Sequence, residues 1–278
     1  MTAADLILAS IIEWAKNEEP IRALLLEGSR AANAPCDELA DLDIDVFTRT
    51  YEPYTQDDRW LSSIGQVWVY SPDQYEWGNE IVPTRLVIFR DGVKVDFSFV
   101  GAHRLAALAD TDDLDAGYRV LLDKDGEASK LRRPTFSKKP APPPTEKDFV
   151  CLVSEYWFEA YHVAKYLKRG DLWLAKSRDW ETKAYLLTMI EWHAQARHQW
   201  NYDTLYAGKH MRAWADEKVW QALHGAFAHF DRDDSWSSLL ASNDLFRELA
   251  TEVAESLRCA YPTDIDRNIT GFILKLKG

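Results

Sequence analysis

Asp41, Asp43 and Asp45 alternate with Leu42, Ile44 and Val46. A period of two predicts a half-buried strand and sends all three carboxylates out of one face. Carboxylates crowded in this way raise one another's proton affinity unless a cation neutralises them. A hard divalent ion suits that task, because Mg²⁺ is held by one or two carboxylates together with substrate phosphates. Upstream, the apolar run Ile21 to Leu26 reads as a buried strand, and Gly28-Ser29 as the tight turn that ends it. Such a turn offers backbone N–H groups and a hydroxyl to a phosphate. Metal grip and phosphate grip on adjacent strands point to Mg²⁺-dependent nucleotide chemistry. A calcium loop of the EF-hand type does not fit, since Val46 stands where its glycine belongs.

Gly28-Ser29 followed by Asp41-Leu42-Asp43 resembles the signature of the polymerase-beta-like nucleotidyltransferases. The longer stretch GSRAANAPCDELADLDIDVF is similar to the aminoglycoside 6-adenylyltransferases (streptomycin adenylyltransferases). So are Lys94-Val95-Asp96-Phe97, Leu121 to Gly126, Val163-Ala164-Lys165, Met189 to Trp192 and Arg267 to Thr270, which together span nearly the whole chain. The resemblance implies transfer of AMP from ATP to a hydroxyl of a streptomycin-like aminoglycoside, with release of pyrophosphate and inactivation of the antibiotic. It implies Mg²⁺ as cofactor and ATP as co-substrate.

The resemblance also distributes roles. Asp41, Asp43 and Asp96 are the catalytic and metal-binding carboxylates, with Asp96 a third ligand or the general base. Gly28 and Ser29 cradle the β- and γ-phosphates. Arg30 and Lys165 neutralise the departing pyrophosphate, although Arg30 serves equally well in a salt bridge to a nearby acid. Glu155, Trp157, Glu191 and Trp192 hold a cationic acceptor by charge and aromatic contact. Asp45 departs from the family pattern, which has an apolar residue there, so the pair Asp43/Asp45 stays open against Asp41/Asp43. Two other functions stay open as well. One is a nucleotidyltransferase of the same fold acting on another small molecule or a protein hydroxyl, and the other a nucleotide-binding module without turnover.

Composition limits the partners. With a net charge of −12, the 278-residue chain is a poor ligand for nucleic acid and a good one for a cation. Its hydrophobic content of 46% supports a sizeable core, and 12 Trp and 12 Tyr suit both cores and pockets for sugars and bases. Cys36, Cys151 and Cys259 lie far apart, which fits a reducing compartment. No apolar run approaches the ~20 residues of a membrane span, and the N-terminus lacks the basic start of a signal peptide. The expectation is a cytoplasmic protein, monomeric or dimeric.

The elements that must position these groups follow in chain order. A helix is predicted over 2–17 with Thr2 as its cap, and a short one around Tyr54 to Ile64. Strands are predicted at Val67 to Tyr70, Thr84 to Phe89 and Val93 to Val100, with a loop from Trp77 to Pro83. Asp91-Gly92 signals a hairpin, and alternation places Asp96 on the polar face. Another strand covers Tyr118 to Leu122. A basic, proline-rich stretch follows, with Arg132-Arg133, Lys138-Lys139 and Pro142 to Pro144, and reads as a stiff linker. From Thr145, paired with Asp148 as a capping box, the pattern is helical: 145–170, 178–200, 216–230, 237–258 and 268–276. His193, His198, His224 and His229 lack zinc-site spacing and read as structural or surface residues.

The predicted fold is therefore an α/β N-terminal nucleotidyltransferase domain, a mixed sheet with flanking helices, followed by a C-terminal all-α helical bundle. The domains are 1–134, the linker 135–147, and 148–278 for substrate binding.

Overall fold

The computed structural model describes residues 1–32, 36–136 and 140–278, so Lys138 and Lys139 of the basic stretch lie outside the described residues. The chain divides into two compact units, Met1–Lys138 and Lys139–Gly278.

The first unit is a mixed six-stranded sheet with helices. Its strands are β1 (Ile21–Glu27), β2 (Leu42–Thr48), β3 (Val67–Trp77), β4 (Glu80–Phe89), β5 (Lys94–Gly101) and β6 (Arg119–Asp123). They lie in the order β3-β4-β5-β2-β1-β6, with β2 and β5 parallel and every other pair antiparallel. Helix α1 (Ala3–Asn17) starts on a capping box in which Thr2 and Asp5 exchange hydrogen bonds. The one-turn helices α2 (Glu52–Thr55), α3 (Leu61–Ile64) and α4 (Arg104–Ala107) complete the unit.

Alternation gives the sheet its two faces. Leu42, Ile44 and Val46 of β2 and Val95, Phe97 and Phe99 of β5 join Ile11 and Trp14 of α1 in one core. Ala23, Leu25, Phe47 and Val100 line the opposite face in a smaller cluster. Asp43, Asp45 and Asp96 share the parity of that second face. Their end of it is acidic while the other end is apolar.

The loop expected at Trp77 to Pro83 is instead a hairpin. β3 runs eleven residues, every one from Ser71 to Trp77 pairs with β4, and only Gly78 and Asn79 turn. β3 is an edge strand exposed along most of its length, so it carries no apolar alternation. An edge strand also tolerates Pro72. Gly78 at φ +66° followed by Asn79 was the available hairpin signal. The second hairpin turns as expected at Asp91 and Gly92, both at positive φ (65° and 77°), the geometry that Asp-Gly favours.

The second unit is helical: α5 (Glu146–Arg169), α6 (Leu172–Arg197), α7 (Met211–Trp214), α8 (Glu217–Ala226), α9 (Arg232–Leu257) and α10 (Thr263–Lys277). Thr145 and Asp148 form the capping box of α5, and Gly170 ends it at φ +82°. Phe149, Val153, Tyr156, Trp157, Ala160, Ala164 and Leu167 of α5 enter a core shared with α6, α9 and α10. No described helix is long and apolar enough to cross a membrane.

Candidate active site

Three neighbouring strands build the site. Parallel pairing sets Asp43 opposite Asp96 and Asp45 opposite Ser98. On its other side, β2 meets β1 with Glu27 opposite Asp43 and Leu25 opposite Asp45. Glu27, Asp43 and Asp96 therefore stand abreast in one row across three strands. Asp41 lies just before β2. Carrying the register back one step from Leu42 and Val95 brings Asp41 beside Lys94.

The turn after β1 closes against this row. Gly28, at φ +65°, begins a 3-10 turn through Arg30, and its carbonyl accepts from the N–H groups of Ala31 and Ala32 at 3.1 and 3.0 Å. A Cβ on Gly28 would lie 1.9 Å from Asp43 Oδ2. The turn and the carboxylate fit only because residue 28 has no side chain.

Charge in the row is uneven. Lys94 Nζ donates to Asp41 Oδ2 at 2.7 Å and to Asp96 Oδ2 at 2.8 Å. The second oxygen of Asp96, Oδ1, is buried without a hydrogen-bond partner among the described residues, and so is Glu27 Oε1. Asp45 is buried, bonded to Glu27 and Ser98, and pushed up to about 6, chiefly by burial. Glu27 is pushed up to about 9, first by burial, then by the charge of Asp45 and by donating a hydrogen bond to it. Burial and mutual repulsion thus leave the pair holding one proton between them near neutral pH. Tyr75 of β3 also reaches Ser98, and burial pushes its phenol up to about 12.

This pairing has a measurable consequence for stability. The folded protein holds the Glu27 proton more tightly than the unfolded chain, whose ordinary value is 4.5. The stability that proton contributes is complete below about pH 4.5 and is lost as the pH rises toward 9. Glu27→Gln removes the proton from the balance, and is expected to stabilise the metal-free protein by roughly 1–3 kcal/mol at pH 8. The gain should vanish near pH 4.5, which thermal melts across that range would show.

The remaining expected residues fall as follows. Ser29 is half-buried in the turn. Arg30 donates through Nε to the carbonyl of Ala40 at 2.8 Å and through Nη2 to that of Glu38 at 3.3 Å, bracing the connection between β1 and β2. In the helical unit, Lys165 is half-buried, with its Nζ 5.9 Å from the Tyr161 ring centre and 5.6 Å from that of Tyr166. Glu155 is exposed, and Glu191 and Trp192 are half-buried, with burial raising the Glu191 carboxyl. Trp157 requires a correction. It is 0% exposed, and its Nε1 donates to Tyr261 Oη at 3.1 Å, so it is a core ring with no face left for a substrate. Helical periodicity marks a buried ring and a pocket ring alike, so spacing could not separate them.

Glu27 and Lys94 are the site residues that sequence reasoning passed over. Glu27 gave one signal, a charge at the end of an apolar run and in phase with buried Ala23 and Leu25. Lys94 gave another by alternating with Asp96. A carbon-rich cavity of about 690 Å³ in the helical unit, bordered by Trp180, Leu187, Met211, Trp220 and Phe227, includes none of the residues assigned to the acceptor.

The chain is similar to known proteins along nearly its whole length. A family profile described as streptomycin adenylyltransferase matches residues 1–276. An aminoglycoside 6-adenylyltransferase of Bacillus subtilis (strain 168) is 28% identical over 270 residues, 94% of this chain and 93% of that protein. One from Campylobacter jejuni is 28% identical over 272 residues, 96% and 93% of the two chains. A crystal structure of an aminoglycoside 6-adenyltransferase from Bacillus subtilis aligns over 100% of this chain and 99% of that one, at 24% identity and a TM-score of 0.49.

Proposed function

Because the chain belongs to the streptomycin adenylyltransferase family, we propose that it transfers AMP from ATP to a hydroxyl of a streptomycin-like aminoglycoside, releasing pyrophosphate and inactivating the drug. The observation that carries this reading is the Asp43–Asp96 row packed against a turn where only glycine fits.

The donor set suits Mg²⁺. Among the described residues no group of three or more His, Cys, Asp or Glu side chains is arranged to hold a metal by itself. Mg²⁺ does not need one, since it takes one or two carboxylates and completes its shell with phosphate and water. Asp96 Oδ1, without a hydrogen-bond partner among the described residues, and the cationic Nζ held between Asp41 and Asp96 support a cation position at these carboxylates. Asp41 and Asp43 are the proposed pair, and Asp96 is the proposed third ligand where a second ion is clamped. When bound, the metal supplies charge neutralisation and Lewis acidity at the phosphates.

The chain's own groups do the rest. Gly28 lets a phosphate approach the backbone, and Ser29 offers its hydroxyl. Arg30 and Lys165 are the proposed cations for the leaving pyrophosphate. Asp96 is the proposed base. The acceptor oxygen bonds to the α-phosphorus, the bond from that phosphorus to the pyrophosphate oxygen breaks, and the hydroxyl proton passes to Asp96. Asp45 is already tied to Glu27 and Ser98, which favours Asp41/Asp43 over Asp43/Asp45 as the metal pair.

Residues 1–134 form the proposed nucleotidyltransferase domain, 135–147 the linker and 148–278 the substrate-binding domain. There Glu155, Glu191 and Trp192 are the proposed contacts to the cationic acceptor. A net charge of −12 favours that acceptor over nucleic acid, and dispersed cysteines favour a cytoplasmic setting.

The test is incubation with ATP, Mg²⁺ and streptomycin. Pyrophosphate should appear and the drug should gain the mass of one AMP. Intact ATP binding with unmodified drug would send the search to other acceptors of the same chemistry.

A further inference from the structure

Lys94 opens β5 on the same face as Asp96, and its ammonium bridges Asp41 and Asp96 at 2.7 and 2.8 Å. These are two of the three carboxylates assigned to Mg²⁺. Asp41 immediately precedes β2 and Asp96 lies on β5, and one cation joins them at the point where they converge. Lys94 satisfies only one oxygen of Asp96, leaving Oδ1 buried and without a hydrogen-bond partner among the described residues. Its side chain is 35% exposed, so the head can leave without repacking the core. A lysine is suited to leaving, as a compact charge on a flexible stem.

We propose that Lys94 is a positioning residue that occupies the cation position until the metal–nucleotide complex displaces it. The inference rests on the adenylyltransferase reading of the site. With the ammonium in place, Asp41 and Asp96 do not repel, and a free divalent ion must displace a like charge to enter. A metal arriving on ATP brings the negative triphosphate with it, and the displaced ammonium gains a new partner. Metal and nucleotide therefore enter together, not metal first.

Mn²⁺ serves as the probe, because it shares the preference of Mg²⁺ for hard oxygen ligands. Its binding would be measured by electron paramagnetic resonance and calorimetry on the full chain, with and without a non-hydrolysable ATP analogue. Wild-type protein should bind Mn²⁺ alone at least about tenfold more weakly than Mn²⁺ with the analogue. Lys94→Met should lose several degrees of melting temperature in EDTA. It should also bind Mn²⁺ alone at least about tenfold more tightly than wild type and regain its melting temperature in Mn²⁺. Lys94→Arg, which keeps the charge, should restore weak binding. A merely structural lysine would lower the melting temperature without tightening the metal. Tight Mn²⁺ binding to nucleotide-free wild type overturns the inference and needs no variant to be seen. Unchanged Mn²⁺ affinity in Lys94→Met does so too, while leaving the adenylyltransferase reading intact. If the wild type binds Mn²⁺ neither alone nor with the analogue, both fall.

Discussion

Asp43→Asn is expected to lower kcat/KM for AMP transfer at least about a thousandfold, a loss of roughly 4 kcal/mol of transition-state stabilisation. Asp43 is the centre of the row: Glu27 stands opposite it on β1, Asp96 on β5, and the Gly28 turn presses against its Oδ2. Asparagine keeps the shape and removes the charge, so the melting temperature should stay within a few degrees. Asp41→Asn should also abolish turnover. Asp45→Asn should keep activity within about tenfold, because Asp45 is buried behind the row and spends its oxygens on Glu27 and Ser98. Steady-state kinetics with melting curves on the three variants decides the matter. Loss in Asp43→Asn and Asp45→Asn with Asp41→Asn active would move the metal pair one step along the strand, and full activity in Asp43→Asn would end the metal assignment.

Gly28→Ala is expected to be nearly as damaging, by a different route. The added Cβ would meet Asp43 Oδ2 at 1.9 Å and Cγ at 2.9 Å, so the carboxylate must move. A displacement of about 1 Å at a reacting centre costs about a hundredfold in rate. The left-handed backbone adds about 1–2 kcal/mol of strain, seen as a melting temperature lower by several degrees. Gly126→Ala separates the two effects. Gly126 is also left-handed, at φ +76°, but a Cβ there meets nothing within 4 Å. It should lose comparable stability and keep its turnover. Equal activity losses in both variants would mean that strain, and not the clash with Asp43, explains the Gly28 result.

The parts of the fold legible in the sequence are those whose local signals agree with their tertiary setting. The alternation in β2 and β5 survived because each strand has one face in the large core and the other on the acidic side. The Thr145–Asp148 capping box and the Thr2 cap were legible because the bonding groups lie within three residues of one another, although the return bond from the Thr2 N–H to the Asp5 carboxylate was not expected. The β3–β4 hairpin was not, because a long edge strand exposed to solvent has no reason to alternate. Helix starts were missed by several residues at α6, α9 and α10; no side chain caps the first turn of α6 or α10, whereas Asp231 caps α9.

The candidate site divides along the same line. By itself the sequence determined which residues carry charge on one strand face, that a glycine turn precedes them, and that their order matches a family. Those are properties of spacing and parity along one strand at a time. Only the tertiary structure decided which charges meet. Strand order set Glu27 and Asp96 on either side of Asp43, Lys94 between Asp41 and Asp96, and Asp45 against Glu27 in a buried pair. It also took Trp157 out of the substrate set and into the core. The physical reason is that a side chain's proton affinity and reach depend on neighbours tens of residues away in sequence, brought near by the pairing of strands.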